Sequence, residues 1–286
     1  NIIGTKNVDI LKGSDDFAVV NTLDGYKGDD VFYSSKGIDS FIGGLGIDTL
    51  NFSNVDLLNG GKRVIVDLGL GKITDDGYHD TTDTAVEDYV SEIEIVIGTT
   101  GDDNLYGDSN KNTLVGANGA DIIYGREGAD SLNGGAGADV IDGGDDADII
   151  LGGADADNID GGRGDDTIDG EAGDDVIVGG AGDDNLKGGS EIDTLSYVSA
   201  LSGITVTLGE GGTAFGTITS GTEGSDTLLD HFEIIKGSNY LDSFTGYNGL
   251  STAGVDYSDT LYGEGANDIL YGGLGDDSLN GGGGDD

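Results

Sequence analysis

The sequence predicts an all-β fold, a parallel β-coil assembled from nine-residue units. Eleven nonapeptides fill 98–196 without slippage, each opening on Gly, from Gly98 to Gly188. Residue eight of every unit is Leu or Ile, from Leu105 to Leu195. Residue six is Asp in ten units and Asn112 in the other. A period this short holds one turn and one minimal strand. Such units bury an apolar face only by stacking on their neighbours.

Composition agrees and narrows the function classes. The 286 residues include 57 Gly and no Pro, Cys, Met or Trp. Asp plus Glu total 56 against 12 Lys plus Arg, a net charge of −44. Nucleic acid and anionic membrane surfaces are poor partners for such a chain, since both need basic patches. High charge with few aromatics ordinarily signals disorder. The strict period argues for order, provided that something neutralises the carboxylates. The absence of Cys excludes disulfides and thiolate metal sites. No apolar run reaches the ~18 residues of a membrane span. No signal peptide is visible before Gly4, and the chain starts within a repeat, so it reads as a segment of something longer.

Taken in order, the elements form five stretches. Residues 1–51 are a first block of units: 4–12, then 13–21 with Ala18 in place of Asp, an insertion at 22–24, and 25–33, 34–42 and 43–51. Residues 52–97 interrupt the register, and 98–196 form the regular block. A second interruption, 197–236, includes a repeat-like unit at 221–229. Residues 237–286 resume the units through a distorted 246–253 and end on an incomplete one.

The interruptions resemble each other. Val64-Ile65-Val66-Asp67-Leu68 parallels Ile204-Thr205-Val206-Thr207-Leu208, and Ile93-Glu94-Ile95 parallels Phe232-Glu233-Ile234. Their β-branched runs read as strands continuing the coil. Thr74 to Asp88 reads as an acidic surface loop. The six residues 281–286 lack three positions of a nonapeptide, which Asn1-Ile2-Ile3 supplies in phase. That match points to a tandem array or head-to-tail association.

One unit, Gly134-Gly135-Ala136-Gly137-Ala138-Asp139-Val140-Ile141-Asp142, carries the chemistry. Its glycines permit left-handed turns and leave carbonyls uncovered. Asp139 adds an anionic oxygen, and Ile141 points into an apolar ladder. Carbonyls with carboxylates, and neither His nor Cys, are a hard-cation donor set. Flexible, carbonyl-rich geometry suits Ca²⁺ better than Mg²⁺. Ion binding and folding then become one event.

These units resemble the repeat-in-toxin (RTX) nonapeptide, G-G-x-G-x-D-x-U-x with U apolar. Residues 161–169, 134–142 and 179–187 match it at every fixed position. The resemblance implies a right-handed parallel β-roll with two nonapeptides per turn and Ca²⁺ held between turns. One side would carry Asp103, Asp121, Asp139, Asp157, Asp175 and Asp193, the other Asn112, Asp130, Asp148, Asp166 and Asp184. In the flanking blocks and the second interruption the matching candidates are Asp9, Asp30, Asp39, Asp48, Asp226, Asp242, Asp259, Asp268, Asp277 and Asp286. Carbonyls of turn residues such as Gly134, Gly137, Gly161, Gly164, Gly179 and Gly182 complete the set. Position four departs from Gly at Asn110, Asp146, Asp155 and Glu191, and position two at Asp108, Arg126 and Glu171. Sites around Asn112 and Ala18 are expected to be weak or empty.

Other features read as structural. Asp142, Asp160 and Asp169, at position nine, are ordinary surface charges. His79 and His231 lack partners at ligand spacing. Tyr106 and Tyr124 sit 18 residues apart and should stack on one edge. No catalytic motif is visible, so no enzyme is expected. The resemblance implies a secreted, calcium-dependent structural or adhesive segment of a bacterial surface protein, such as an adhesin stalk, S-layer component or filament. Cell-surface polysaccharide is a conceivable partner. The alternative is the C-terminal calcium module of a secreted enzyme or toxin.

Overall fold

The computed structural model describes residues 1–14, 20–35, 38–53, 63–76, 88–208, 216–221, 223–230, 232–246 and 258–286. Every regular element among them is a strand. The chain forms two compact units, Asn1–Asp142 and Gly143–Asp286.

In the first unit successive strands alternate between two parallel sheets. Val20–Asp24 and Ile38–Ile42 pair in one, and Val31–Tyr33 and Thr49–Asn51 in the other. In the regular stretch the partner of each residue lies 18 positions on, as in Asn104↔Ile122 and Thr113↔Ser131. Two nonapeptides therefore make one turn. The second unit repeats the pattern: Asn158–Arg163 pairs with Val176–Ala181, and Thr167–Ala172 with Asn185–Ser190. The regular strands run six residues, longer than the minimal strand expected, because pairing continues into the glycine turn, as in Gly153↔Glu171.

The core is the position-eight ladder. Leu105, Leu114, Ile123, Leu132 and Ile141 in the first unit, and Ile150 to Leu195 in the second, are all essentially buried. Larger apolar residues fill the irregular regions: Phe32, Phe41 and Phe52 in the first unit, Phe232 and Phe244 in the second.

Both interruptions make the same detour. In each, a strand pairs parallel with the turn that follows, and the chain then doubles back antiparallel to rejoin the turn before. In the first unit the detour runs Val64–Asp67, Lys72–Asp76, Asp88–Ser91, with Asp88–Ser91 returning to Ile38–Ile42. In the second it runs Ile204–Leu208, Gly216–Ser220, Gly224–Leu228, the last strand pairing with Asn185–Ser190. The β-branched runs are thus strands, but each opens an antiparallel meander rather than another turn of coil. Thr74 and Asp88 lie in strands instead of a loop, Thr74 where the register shifts between Ile73 and Asp75, and Asp88 opposite Ile73; residues 77–87 lie outside the described residues.

One expected register shifts. Val20 is 66% exposed while Leu23 is fully buried opposite Phe41, so Asn21 rather than Ala18 stands at position six, and the insertion does not fall at 22–24. Ala18 lies outside the described residues. Ser243–Thr245 and Thr260–Tyr262 belong to different sheets; residues 247–257, on which the distorted stretch at 246–253 falls, lie outside the described residues.

Candidate metal centre

The position-six carboxylates form two ladders beside the apolar core. Asp30, Asp39, Asp48, Asp103, Asp121, Asp130, Asp139, Asp148, Asp157, Asp166, Asp175, Asp184, Asp193, Asp226, Asp242, Asp259 and Asp268 are all buried. Asp9 and Asp277 are half-buried and Asp286 is exposed. The spacing of 18 aligns each side chain with the backbone one turn earlier. The Asp103 N–H donates to Asp121 Oδ1 at 2.7 Å, Asp121 to Asp139 at 2.7 Å, and Asn112 to Asp130 at 2.7 Å. In the second unit Asp148 donates to Asp166 at 2.8 Å, Asp157 to Asp175 at 2.8 Å, and Asp166 to Asp184 at 2.9 Å. The Asp259–Asp277 and Asp268–Asp286 pairs, each 3.0 Å, extend the rule toward the end of the chain.

The second oxygen behaves differently. Oδ2 of Asp30, Asp48, Asp121, Asp166, Asp175, Asp184, Asp193 and Asp268 is buried and has no hydrogen-bond partner. Native structures rarely leave such groups unsatisfied. Each faces the position-one glycine of its own unit, and in most of these turns a carbonyl of the next turn faces that glycine too. A Cβ added to Gly152 would meet Asp157 Oδ2 at 2.6 Å and the Gly170 carbonyl at 2.8 Å. The same pair of oxygens crowds Gly116 (Asp121, Gly134), Gly143 (Asp148, Gly161), Gly161 (Asp166, Gly179) and Gly25 (Asp30, Gly43). Position one is glycine because a side chain would fill this oxygen-lined cradle.

The turn backbone explains the missing donors. Gly162 and Gly164, at positions two and four, take φ of 99° and 131°, which L side chains rarely adopt. Gly137 and Gly182 do the same, and Arg126, Asp146, Asp155, Glu171 and Glu191 accept the strain. The carbonyls of Gly134, Gly161 and Gly179 reach the cradle, whereas those of Gly164 and Gly182 face Gly182 and Gly224 one turn on.

Burial raises these acids. Asp121 is pushed up to about 8, and Asp166, Asp184 and Asp193 to about 7, by desolvation first and by neighbouring carboxylates second; backbone N–H donors oppose the shift. Among the described residues no three acidic or histidine side chains converge. The donor set is therefore one carboxylate with backbone carbonyls, the hard-oxygen chemistry that suits a large divalent cation.

Several participants fall outside the strict repeat. The Asp48 N–H donates to Glu94 Oε2 at 2.7 Å, and Asp193 to Glu233 Oε2 at 2.8 Å, so each interruption ends on a Glu in the Asp role. The clue lay in the register: Glu94 precedes buried Val96, and Glu233 precedes buried Ile235, as Asp precedes U. Asp39 donates to Asp88 Oδ1 at 2.7 Å, and Asp184 to Asp226 Oδ1 at 3.1 Å. Asp88 was visible only as a local D-x-V match. Tyr106 and Tyr124 stack as expected, 5.5 Å apart. Arg126 covers Tyr106 and forks onto Asp67 with two bonds of 2.8 Å, fastening the first meander. Asp169 pairs with Lys187 at 2.8 Å. His79 and His231 lie outside the described residues.

No curated protein matches the chain. The family model of the RTX calcium-binding nonapeptide repeat, four copies long, matches 20–50, 91–123, 124–159, 160–195 and 254–286. These matches span more than half of the chain and fall on the turns that build the carboxylate ladders, so the chain belongs to the RTX calcium-binding nonapeptide repeat family.

Proposed function

We propose that the chain is a calcium-dependent structural segment of a secreted bacterial surface protein, unfolded where calcium is scarce and folded where it is abundant. One observation carries the reading: buried Oδ2 atoms without donors, such as those of Asp30, Asp121, Asp166 and Asp175, lie beside glycine carbonyls. An uncompensated buried charge costs several kcal/mol. A few such groups exceed the ~5–15 kcal/mol that holds a domain together. Bound Ca²⁺ would supply the positive charge that offsets them. The position-six carboxylates and position-one carbonyls would hold it, and the Leu/Ile ladder would then pack. With no Cys, crosslinking of this kind takes the place that disulfides fill in many secreted proteins. Its role is mechanical, that of a spacer or adhesive stalk rather than an enzyme.

The test is far-ultraviolet circular dichroism of the full chain, first in chelator and then with added Ca²⁺. Coil in chelator and β-structure gained below or near millimolar Ca²⁺, with Mg²⁺ ineffective, is the expected result. Full β-structure in chelator would overturn the proposal.

A further inference from the structure

Not every position-six carboxylate lacks a donor at its second oxygen, and three of the exceptions share a local design. In the unit opened by Gly98, Thr99 stands at position two. Its N–H donates to Asp103 Oδ2 at 2.6 Å, its hydroxyl lies 3.0 and 3.1 Å from the two carboxylate oxygens, and the Gly101 N–H donates to Thr99 Oγ1 at 3.0 Å. In the unit opened by Gly237, Ser238 repeats the arrangement. Its N–H donates to Asp242 Oδ2 at 2.8 Å, its hydroxyl to Oδ1 at 2.8 Å, and it accepts the Tyr240 N–H at 3.0 Å. Thr5 N–H donates to Asp9 Oδ2 at 2.5 Å, and Thr5 Oγ1 accepts the Asn7 N–H at 3.2 Å. The side chain–backbone turn at position two is the kind that Ser and Thr make readily.

The backbone separates the two kinds of turn. Thr5, Thr99, Gly101, Ser238 and Tyr240 do not enter the left-handed region, whereas Gly162 and Gly164 both do. With position two outside the left-handed region, its N–H and hydroxyl point at the carboxylate. With position two left-handed, as in the units of Asp121 and Asp166, neither oxygen receives a donor from its own turn, and Oδ2 remains without a partner.

We propose that the residue at position two assigns each turn its cation: units with Thr or Ser there, at Asp9, Asp103 and Asp242, are closed by their own donors and take no calcium, while the left-handed units, at Asp121, Asp166 and Asp184, are the ones that do. The assignment rests on the calcium-dependent reading and divides its sites. The donor hydrogens of Thr99 and Ser238 occupy the side of the carboxylate that a cation would need. Their hydrogen bonds to a charged acceptor are of the stronger class. Placement gives the device a use. Gly98 and Gly237 each begin the first unit after an interruption, so the structure supplies a cation-independent edge on which the following turns can stack.

A crystal of the calcium-loaded full chain tests the assignment through calcium anomalous scattering. Peaks beside Asp121, Asp166 and Asp184, with none beside Asp103 and Asp242, are expected. Peaks of equal height beside Asp103 and Asp242 overturn the assignment and leave the calcium-dependent reading intact; no peaks anywhere overturn both. In solution, Thr99→Gly and Ser238→Gly recreate the left-handed unit. Equilibrium dialysis with atomic emission should show about one more bound ion for each opened turn. Unchanged uptake in folded variants counts against the assignment.

Discussion

The regular turn around Asp166 and the meander around Asp226 bury the same group in opposite ways. Asp166 receives one backbone donor, the Asp148 N–H at Oδ1, and its Oδ2 faces a glycine cradle with no partner. Asp226 also receives a backbone donor at Oδ1, but its Oδ2 accepts the hydroxyl of Tyr197, which is buried beside it. One carboxylate is left for an external cation and the other is closed by the protein. On the calcium-dependent reading proposed above, the β-roll would not depend on calcium uniformly. Dependence would concentrate where position two offers no donor to the carboxylate.

The largest effect should come from filling a cradle. Gly161→Ala places a methyl against the Gly179 carbonyl and Asp166 Oδ2, so the turn must shift. Calcium titration followed by circular dichroism should show the folding midpoint raised at least ~10-fold, a loss of about 1.4 kcal/mol or more. Gly221→Ala, in the second interruption, is the control. Its Cβ would meet only Ser202, at 3.5 and 4.0 Å, and should leave the midpoint unchanged. Equal shifts in the two variants would erase the distinction between the two kinds of site.

A smaller effect should follow from opening the closed carboxylate. Tyr197→Phe removes the donor to Asp226 and keeps the ring. Phe52 already occupies the corresponding place in the first interruption, so the ring alone can be accommodated there. Leaving Asp226 Oδ2 buried without its donor should cost about 1–3 kcal/mol in urea unfolding of the calcium-loaded chain. Added calcium should recover part of the loss if the opened oxygen becomes a ligand. A cost that calcium does not relieve would mean that the Tyr197 site is structural alone.

The same contrast governs what could be read from the sequence. Where the period is strict, identity gives position, and position gives burial. Ile141, Ile168 and Leu195 are inside because they are eighth, and Asp121 and Asp166 are inside because they are sixth. The meanders escaped because their pairing is non-local. Val64–Asp67 finds its parallel partner in Asn104–Tyr106, and nothing in its own residues shows that the next strand turns back. Glu94 and Glu233 kept the register but changed the residue type, and a pattern keyed to Asp passed over them. Asn21 kept the role while the register slipped. The division into closed and open turns was also written in the sequence, in Thr5, Thr99 and Ser238. It becomes legible only when backbone φ shows which position-two N–H groups face the carboxylate.

The smallest and most graded effect is that of pH, and its sign depends on calcium. Without the cation, burial holds Asp121 at about 8 and Asp166 and Asp184 at about 7, against the ordinary 3.8. A carboxyl raised by folding favours the folded chain in its protonated form. That contribution is complete below the ordinary value and is lost as pH rises through the folded one. In chelator, β-structure should therefore increase on acidification from about pH 8 toward pH 4. In calcium the order reverses, because ligation needs the ionised form, so the calcium midpoint should rise as pH falls below about 7. Asp226 is also raised by burial, but the Tyr197 hydroxyl pulls it back to about 6. Tyr197→Phe should move the meander's titration upward, toward that of the regular turns. Nuclear magnetic resonance of the Asp226 carboxyl carbon can follow that shift directly. An Asp226 that titrates identically with and without the phenol would show that burial alone sets its proton affinity, and that the hydroxyl does not substitute for a cation.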